Sequence, residues 1–155
     1  MTGRTPCLIN GKGFYLDMEE YIRTMREKGL KATPKRRAVI ELFLKGGRSL
    51  SPAEVYQSLI RKIRPLGVPT VYRILEDLRE AGILIRIPSE ERLVCYSLCR
   101  MPDRHHHHFI CRKCRRVEEV EYCNFEEISR LVEERLKCRA ETHFLQIEGL
   151  CSRCL

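Results

Sequence analysis

The sequence predicts an α+β protein in which a cluster of short helices, closed by a β-hairpin, precedes a small α/β unit organised around cysteines. Three observations carry this. Cap and stop signals mark off four short helical segments before residue 82, two β-rich runs follow at once, and eight of the nine cysteines lie beyond residue 90. A chain of 155 residues can hold one core or two small ones.

The first sixteen residues contain Gly and Pro without periodicity and read as an arm. Asp17, with Glu20 three residues on, caps a helix carrying Tyr21, Ile22 and Met25 and stopped by Gly29. Thr33 before Pro34 opens a second helix through Val39, Ile40, Leu42 and Phe43 to Gly46. Ser51-Pro52-Ala53-Glu54 is a capping box, and Val55, Leu59, Ile60 and Ile63 extend a third helix to Pro65 and Gly67. Pro69 opens the fourth, with Val71, Leu75 and Leu78 as its buried stripe and Gly82 as its stop. Ile83–Ile87 and Leu93–Leu98 form strands joined by a turn over 88–92. This order is that of a winged helix-turn-helix, here over residues 17–100.

Beyond a boundary near Met101-Pro102, Phe109–Cys111 and Val117–Tyr122 read as strands. Asn124 with Glu127 caps a helix bearing Ile128, Leu131, Val132 and Leu136, and His143–Leu150 reads as a last strand.

Charge divides at the same place. Residues 1–102 carry 19 basic and 11 acidic side chains, which accounts for the net +8, whereas residues 103–155 carry ten of each. Such asymmetry suits one module that meets a polyanion and another that does different work, although charge scattered over solvated faces would look similar. With no apolar run near the ~18 residues of a membrane span, no membrane partner is expected. The start of the chain lacks a charged segment followed by an apolar one, so a cytoplasmic location is expected, where cysteines more often bind metal than form disulfides.

Cys111-Arg112-Lys113-Cys114 and Cys151-Ser152-Arg153-Cys154 are two Cys-x-x-Cys pairs. Each can aim two thiolates at one point, and together they complete a closed, tetrahedral, structural zinc site; redox-active dithiols are the rival. His105-His106-His107-His108 stands immediately before the first pair. In an extended chain His105 and His107 point one way and His106 and His108 the other, so one run can seed two metal sites. A purification tag or a solvated His-rich loop is the plainer reading. Cys99, Glu118, Glu119, Glu121, Glu126, Glu127 and His143 are the remaining donors, and spacing alone does not assign them.

These features together resemble the Fur family of bacterial metal-dependent transcriptional regulators, from about residue 20 to the end. The marks are Thr70-Val71-Tyr72-Arg73, Ala81-Gly82, the histidine run before Cys-x-x-Cys, and His143 leading to Gly149-x-Cys151-x-x-Cys154. The resemblance implies an N-terminal winged helix and a dimerisation domain, here 101–155, with the four-cysteine zinc site at Cys111, Cys114, Cys151 and Cys154. It implies a dimerisation-domain site at His105, His107, Glu126 and His143. It also implies a regulatory hinge metal that aligns the two winged helices of a homodimer on palindromic double-stranded DNA.

Iron-sensing relatives have a His and an acid where this chain has Ser49 and Ser97, and Cys99 resembles the hinge thiolate of zinc uptake regulators. The expected hinge set is therefore Cys99, His106 and His108 with Glu119, or alternatively Glu90 or Glu91, as fourth donor. Thiolate favours zinc over ferrous iron or manganese, so a zinc-responsive repressor is expected, with an iron-responsive or peroxide-sensing member as the alternative. Tyr72 and Arg73, with Thr70 at the helix start, are expected at the operator, and Lys35, Arg36 and Arg37 at phosphates. Tyr72 could instead pack internally, and the three adjacent charges could be a solvated face. Cys7, Cys95, Cys123 and Cys138 have no role in this scheme. A zinc-dependent hydrolase is the competing class, but His-Glu-x-x-His is absent and nothing marks a small-molecule substrate, so no enzyme is expected.

Overall fold

The computed structural model describes residues 16–88, 94–101 and 105–155. The arm before residue 16, the turn with Glu90 and Glu91, Leu93, Pro102 and Cys7 lie outside the described residues.

Local chemistry sets the helices. In α1 (Met18–Glu27) the Asp17 carboxylate accepts from the Glu20 amide at 3.0 Å while the Glu20 carboxylate accepts from the Asp17 amide at 2.8 Å. Helix α2 (Pro34–Gly46) starts on the Thr33 cap and ends at Gly47, whose φ of 57° suits a residue without Cβ. Helix α3 (Pro52–Leu59) has the Ser51–Glu54 box, and α4 (Val68–Glu80) starts from Gly67 with Pro69 in its first turn. Helix α3 is shorter than its apolar stripe predicts. Lys62 and Ile63 both donate to the Leu59 carbonyl, so the chain tightens and turns off, leaving Ile60 and Ile63 only half-buried.

Tyr21, Met25, Val39, Val55, Val71, Leu75 and Leu78 are all fully buried in one core. Strands β1 (Leu84–Pro88) and β2 (Val94–Leu98) pair antiparallel over this core, and Leu50 adds a bridge to Tyr96. Tyr96 donates from its hydroxyl to the Glu76 carboxylate, which ties the hairpin to α4.

The second sheet has the order β4-β3-β5, with β3 (His107–Cys111) antiparallel to β4 (Val117–Val120) and parallel to β5 (Gln146–Gly149). Strand β3 begins within the histidine run, and β4 and β5 are shorter than expected. Helix α5 (Phe125–Leu136) lies between β4 and β5 in the chain and buries no residue. Asn124 does not cap it; its amide donates to the Glu127 side chain instead. The expected core stripe stands in solvent, with Ile128 53% and Leu131 46% exposed.

Apolar contact and an ion pair join the two halves. Ile87 and Cys95 of the hairpin pack with Ile110 and Val117 of the second sheet. Arg115 directs both terminal nitrogens to Glu54, at 3.1 and 2.5 Å, while its carbonyl accepts from the Ser49 amide. A bridge between Arg48 and Arg116 flanks this contact. The Arg115 fork holds the Glu54 carboxyl down from 4.5 to about 2, aided by Ser51 and opposed by burial.

A carboxyl depressed on folding contributes stability above its unfolded value and loses it as pH falls toward its folded value. Glu54→Gln should cost about 1–2 kcal/mol near neutral pH, allowing for screening of a partly exposed pair. Urea unfolding of parent and variant should show this gap closing between about pH 5 and pH 2. A gap independent of pH would exclude Glu54 as its source.

Candidate metal centres and nucleic-acid face

Parallel pairing of β3 with β5 sets Cys111 opposite Gly149, so the chain leaves both strands at the same end of the sheet. Each exit carries one Cys-x-x-Cys turn. The sulfurs of Cys111, Cys114, Cys151 and Cys154 gather within 4.8 Å of one another, with Cys114 and Cys151 at 3.7 Å. Amides of Cys114, Cys151 and Lys113 pull the Cys111 thiol below its usual range, and the Cys151 amide lies 3.4 Å from its sulfur. Burial and the neighbouring cysteines push Cys154 up. Four soft donors converging in this way fit a closed zinc site, whose positive charge relieves the crowding of thiolates. Gly149 permits the turn to sit close, because a Cβ there would stand 3.1 Å from the Phe109 ring.

The histidine run divides by face. On one side Cys99 Sγ lies 3.4 Å from His106 Nε2, which lies 3.0 Å from His108 Nε2. Cys99 is anchored twice through its backbone: its amide donates to Ile83, and its carbonyl accepts from the Tyr21 hydroxyl at 3.2 Å. Burial, followed by the neighbouring histidines, lowers His108 to about 4, which leaves its imidazole neutral and able to ligate near pH 7. Glu119 pairs with His108 across the strands, but its carboxylate accepts from the Arg100 amide and lies 3.7 Å from the Arg100 guanidinium. It is not among the gathered donors. Ser49 and Ser97 are buried.

On the other face His143 Nε2 lies 3.1 Å from His105 Nε2 and 3.3 Å from His107 Nε2. The fourth donor here is Cys123, 3.2 Å from His143, and the four atoms lie within 4.8 Å of one another. Glu126, expected in this place, is exposed on the first turn of α5 and outside the group. No spacing rule marks Cys123; its place follows from where the chain leaves β4.

Helix α4 turns Val71, Ile74, Leu75 and Leu78 inward and leaves Tyr72, 50% exposed, and Arg73 on the outside, with Thr70 half-buried at its start. Tyr72 is therefore not a core residue. Arg37 is exposed and Lys35 half-buried on α2. Arg36 departs from the expected phosphate contact: its guanidinium binds Asp77 of α4 and donates to the Lys31 carbonyl at 2.9 Å. It joins two helices of the core cluster instead of reaching outward.

A family model described as the ferric uptake regulator family matches residues 27–148. The ferric uptake regulation protein of Neisseria gonorrhoeae is 34% identical over 140 residues, covering 88% of this chain and 96% of that one. The iron-containing structure of the ferric uptake regulator from Francisella tularensis is 32% identical, with a TM-score of 0.57, covering 81% of this chain and 95% of that one. A zinc uptake regulator solved with zinc and DNA reaches a TM-score of 0.71 at 22% identity, covering 88% and 91% of the two chains, and supports the fold.

Four-ligand zinc contributes roughly 10–16 kcal/mol to small domains, as much as the whole stability of a typical one. Cys111→Ser should accordingly lose bound zinc and the ordered second sheet together, read by zinc content and amide exchange. Retention of an ordered sheet without zinc would refute a structural role for the four cysteines.

Proposed function

The chain belongs to the ferric uptake regulator family of metal-dependent DNA-binding regulators, and from that premise we propose that it is a cytoplasmic, zinc-responsive repressor binding a palindromic operator as a homodimer when its hinge site is filled. The observation that carries the metal preference is the buried Cys99 sulfur beside His106 and His108. A sulfur donor with two imidazoles suits zinc in a tetrahedral shell, whereas carboxylate-rich sets suit manganese and magnesium.

In this reading residues 17–100 form the DNA-binding domain and 101–155 the dimerisation domain. Glu119 is the fourth hinge donor. To reach a metal held by Cys99, His106 and His108 it would have to give up its contacts with Arg100, which also pairs with Glu118. Because Cys99 is fixed to α1 and to the loop before β1, closing the shell biases the angle between the halves. Arg73 and Tyr72 meet base edges, Thr70 sits near a phosphate, and Lys35 and Arg37 supply salt-sensitive phosphate contacts. Arg36 acts indirectly by holding α2 against α4. The exposed apolar face of α5 is covered by a second copy of the chain, with the same residues meeting across a two-fold axis.

A second reading, an iron-responsive regulator, is favoured by the 34% identity to a ferric uptake regulation protein. The two differ in which metal fills the hinge.

Metal binding and operator binding must be reciprocally linked. Zinc at the hinge should tighten operator binding by about 5- to 150-fold, and Cys99→Ser should abolish that gain while the dimer stays folded. Fluorescence anisotropy with zinc, ferrous iron or neither at the hinge decides between the readings; equal operator affinity in all three states would sink both. Arg73→Ala should cost about 1–3 kcal/mol on operator DNA and little on random DNA. Lys35→Ala should lower the salt slope by about one. Arg36→Ala should reduce thermal stability and leave the salt slope close to that of the parent.

A further inference from the structure

The second histidine face holds a donor set unlike the one its strand neighbours suggest. Three imidazole nitrogens and one sulfur surround a common point, with His143 at 3.1, 3.3 and 3.2 Å from His105, His107 and Cys123. A tetrahedral ion with metal–nitrogen bonds of ~2.0–2.1 Å and a metal–sulfur bond of ~2.3 Å needs donor edges of roughly 3.3–3.6 Å. The three edges at His143 are close to that spacing, and the other donors lie within 4.8 Å of one another. Glu126 would have supplied a hard oxygen, but its side chain points to solvent and a thiol stands in the gap.

The ligands also come from telling places. His107 opens β3 and His105 lies two residues before it, Cys123 lies two residues before α5, and His143 lies in the segment that returns from it. Helix α5 buries no side chain of its own. Its first residue, Phe125, stacks on the His143 ring at 4.2 Å and 14°. Both flanks of α5 thus converge on one point at the start of the central strand, and the convergence supplies positional restraint to a helix that buries no residue.

We propose that Cys123, with His105, His107 and His143, forms a closed three-nitrogen, one-thiolate site for a tetrahedral dication of the zinc class, and that this ion fixes α5 for contact with a second copy of the chain. A thiolate in place of a carboxylate turns the site away from manganese and toward zinc. A filled shell leaves no position for water, so the site holds structure and does no chemistry. The consequence for assembly rests on the homodimer of the functional reading, whereas the ligand assignment does not.

Cobalt(II) is the probe, on the full chain in a Cys99→Ser background that silences the hinge thiolate, with zinc retained at the four cysteines by assay. The expected result is a sulfur-to-cobalt charge-transfer band that persists in Glu126→Gln and vanishes in Cys123→Ser, while far-ultraviolet circular dichroism and the retained zinc stay unchanged. Sedimentation velocity on the metal-loaded chain should show Cys123→Ser weakening the dimer by about tenfold or more. A band that survives Cys123→Ser, or is lost in Glu126→Gln, overturns the ligand assignment. An unchanged dimer despite loss of the band overturns the role of the ion in assembly. None of these readouts uses operator DNA, so failure here leaves the hinge reading standing, and failure of zinc-dependent operator binding leaves this site standing.

Discussion

The two-residue repeat of strand β3 is the constraint on which the rest of the second half depends. Successive side chains of an extended backbone point to opposite faces, so four adjacent histidines cannot serve one ion. They are divided between the Cys99 corner on one face and the α5 flanks on the other. The same strand pairs in parallel with β5, and that pairing brings two cysteine turns, distant in sequence, to one end of the sheet. Three donor clusters thus hang from one five-residue strand, and a register shift of a single residue would dismantle all three.

The helical half meets the second half through few but specific contacts. Ile87 and Cys95 pack on Ile110 and Val117, and Glu54 uses one carboxylate both to cap α3 and to bind Arg115. Capping a helix and joining two halves are separate tasks, and one side chain performs both because Oε2 accepts from Ser51 and from Arg115 while Oε1 takes the second Arg115 nitrogen. Within the half, Arg36–Asp77 and Tyr96–Glu76 pin α4 to α2 and to the hairpin. The helix that carries Tyr72 and Arg73 is held on its inner face by packing and at its sides by charge.

The local parts of this fold were legible in the amino-acid order. Asp17–Glu20 and Ser51–Glu54 are caps built from residues three apart, and the Cys-x-x-Cys turns are equally local. What depended on distant partners was not. Arg36 looks like its neighbours Lys35 and Arg37 until Asp77, forty-one residues away, is brought beside it. Asn124 and Glu127 have capping-box spacing, yet the two side chains bind each other and leave the backbone uncapped. The stripe on α5 has core periodicity but no residue that buries it among the described residues, since periodicity reports that a face is apolar and not what covers it. Cys123 carries no local signal, since its membership in a cluster is decided by the path of the chain between β4 and α5.

Arg115 occupies a backbone position with φ of 61°, a left-handed conformation more comfortable for glycine. A glycine there would ease the turn but could offer Glu54 nothing. With the arginine in place, the halves are joined by its ion pair with Glu54, by the Ser49–Arg115 backbone bond and by the apolar seam of Ile87, Cys95, Ile110 and Val117. Contacts spread along a seam hold two bodies as a glued edge does, and not as a tether does. The Cys99–His106 contact crosses between the same two halves, so a change of ligation at that corner presses directly on the joint.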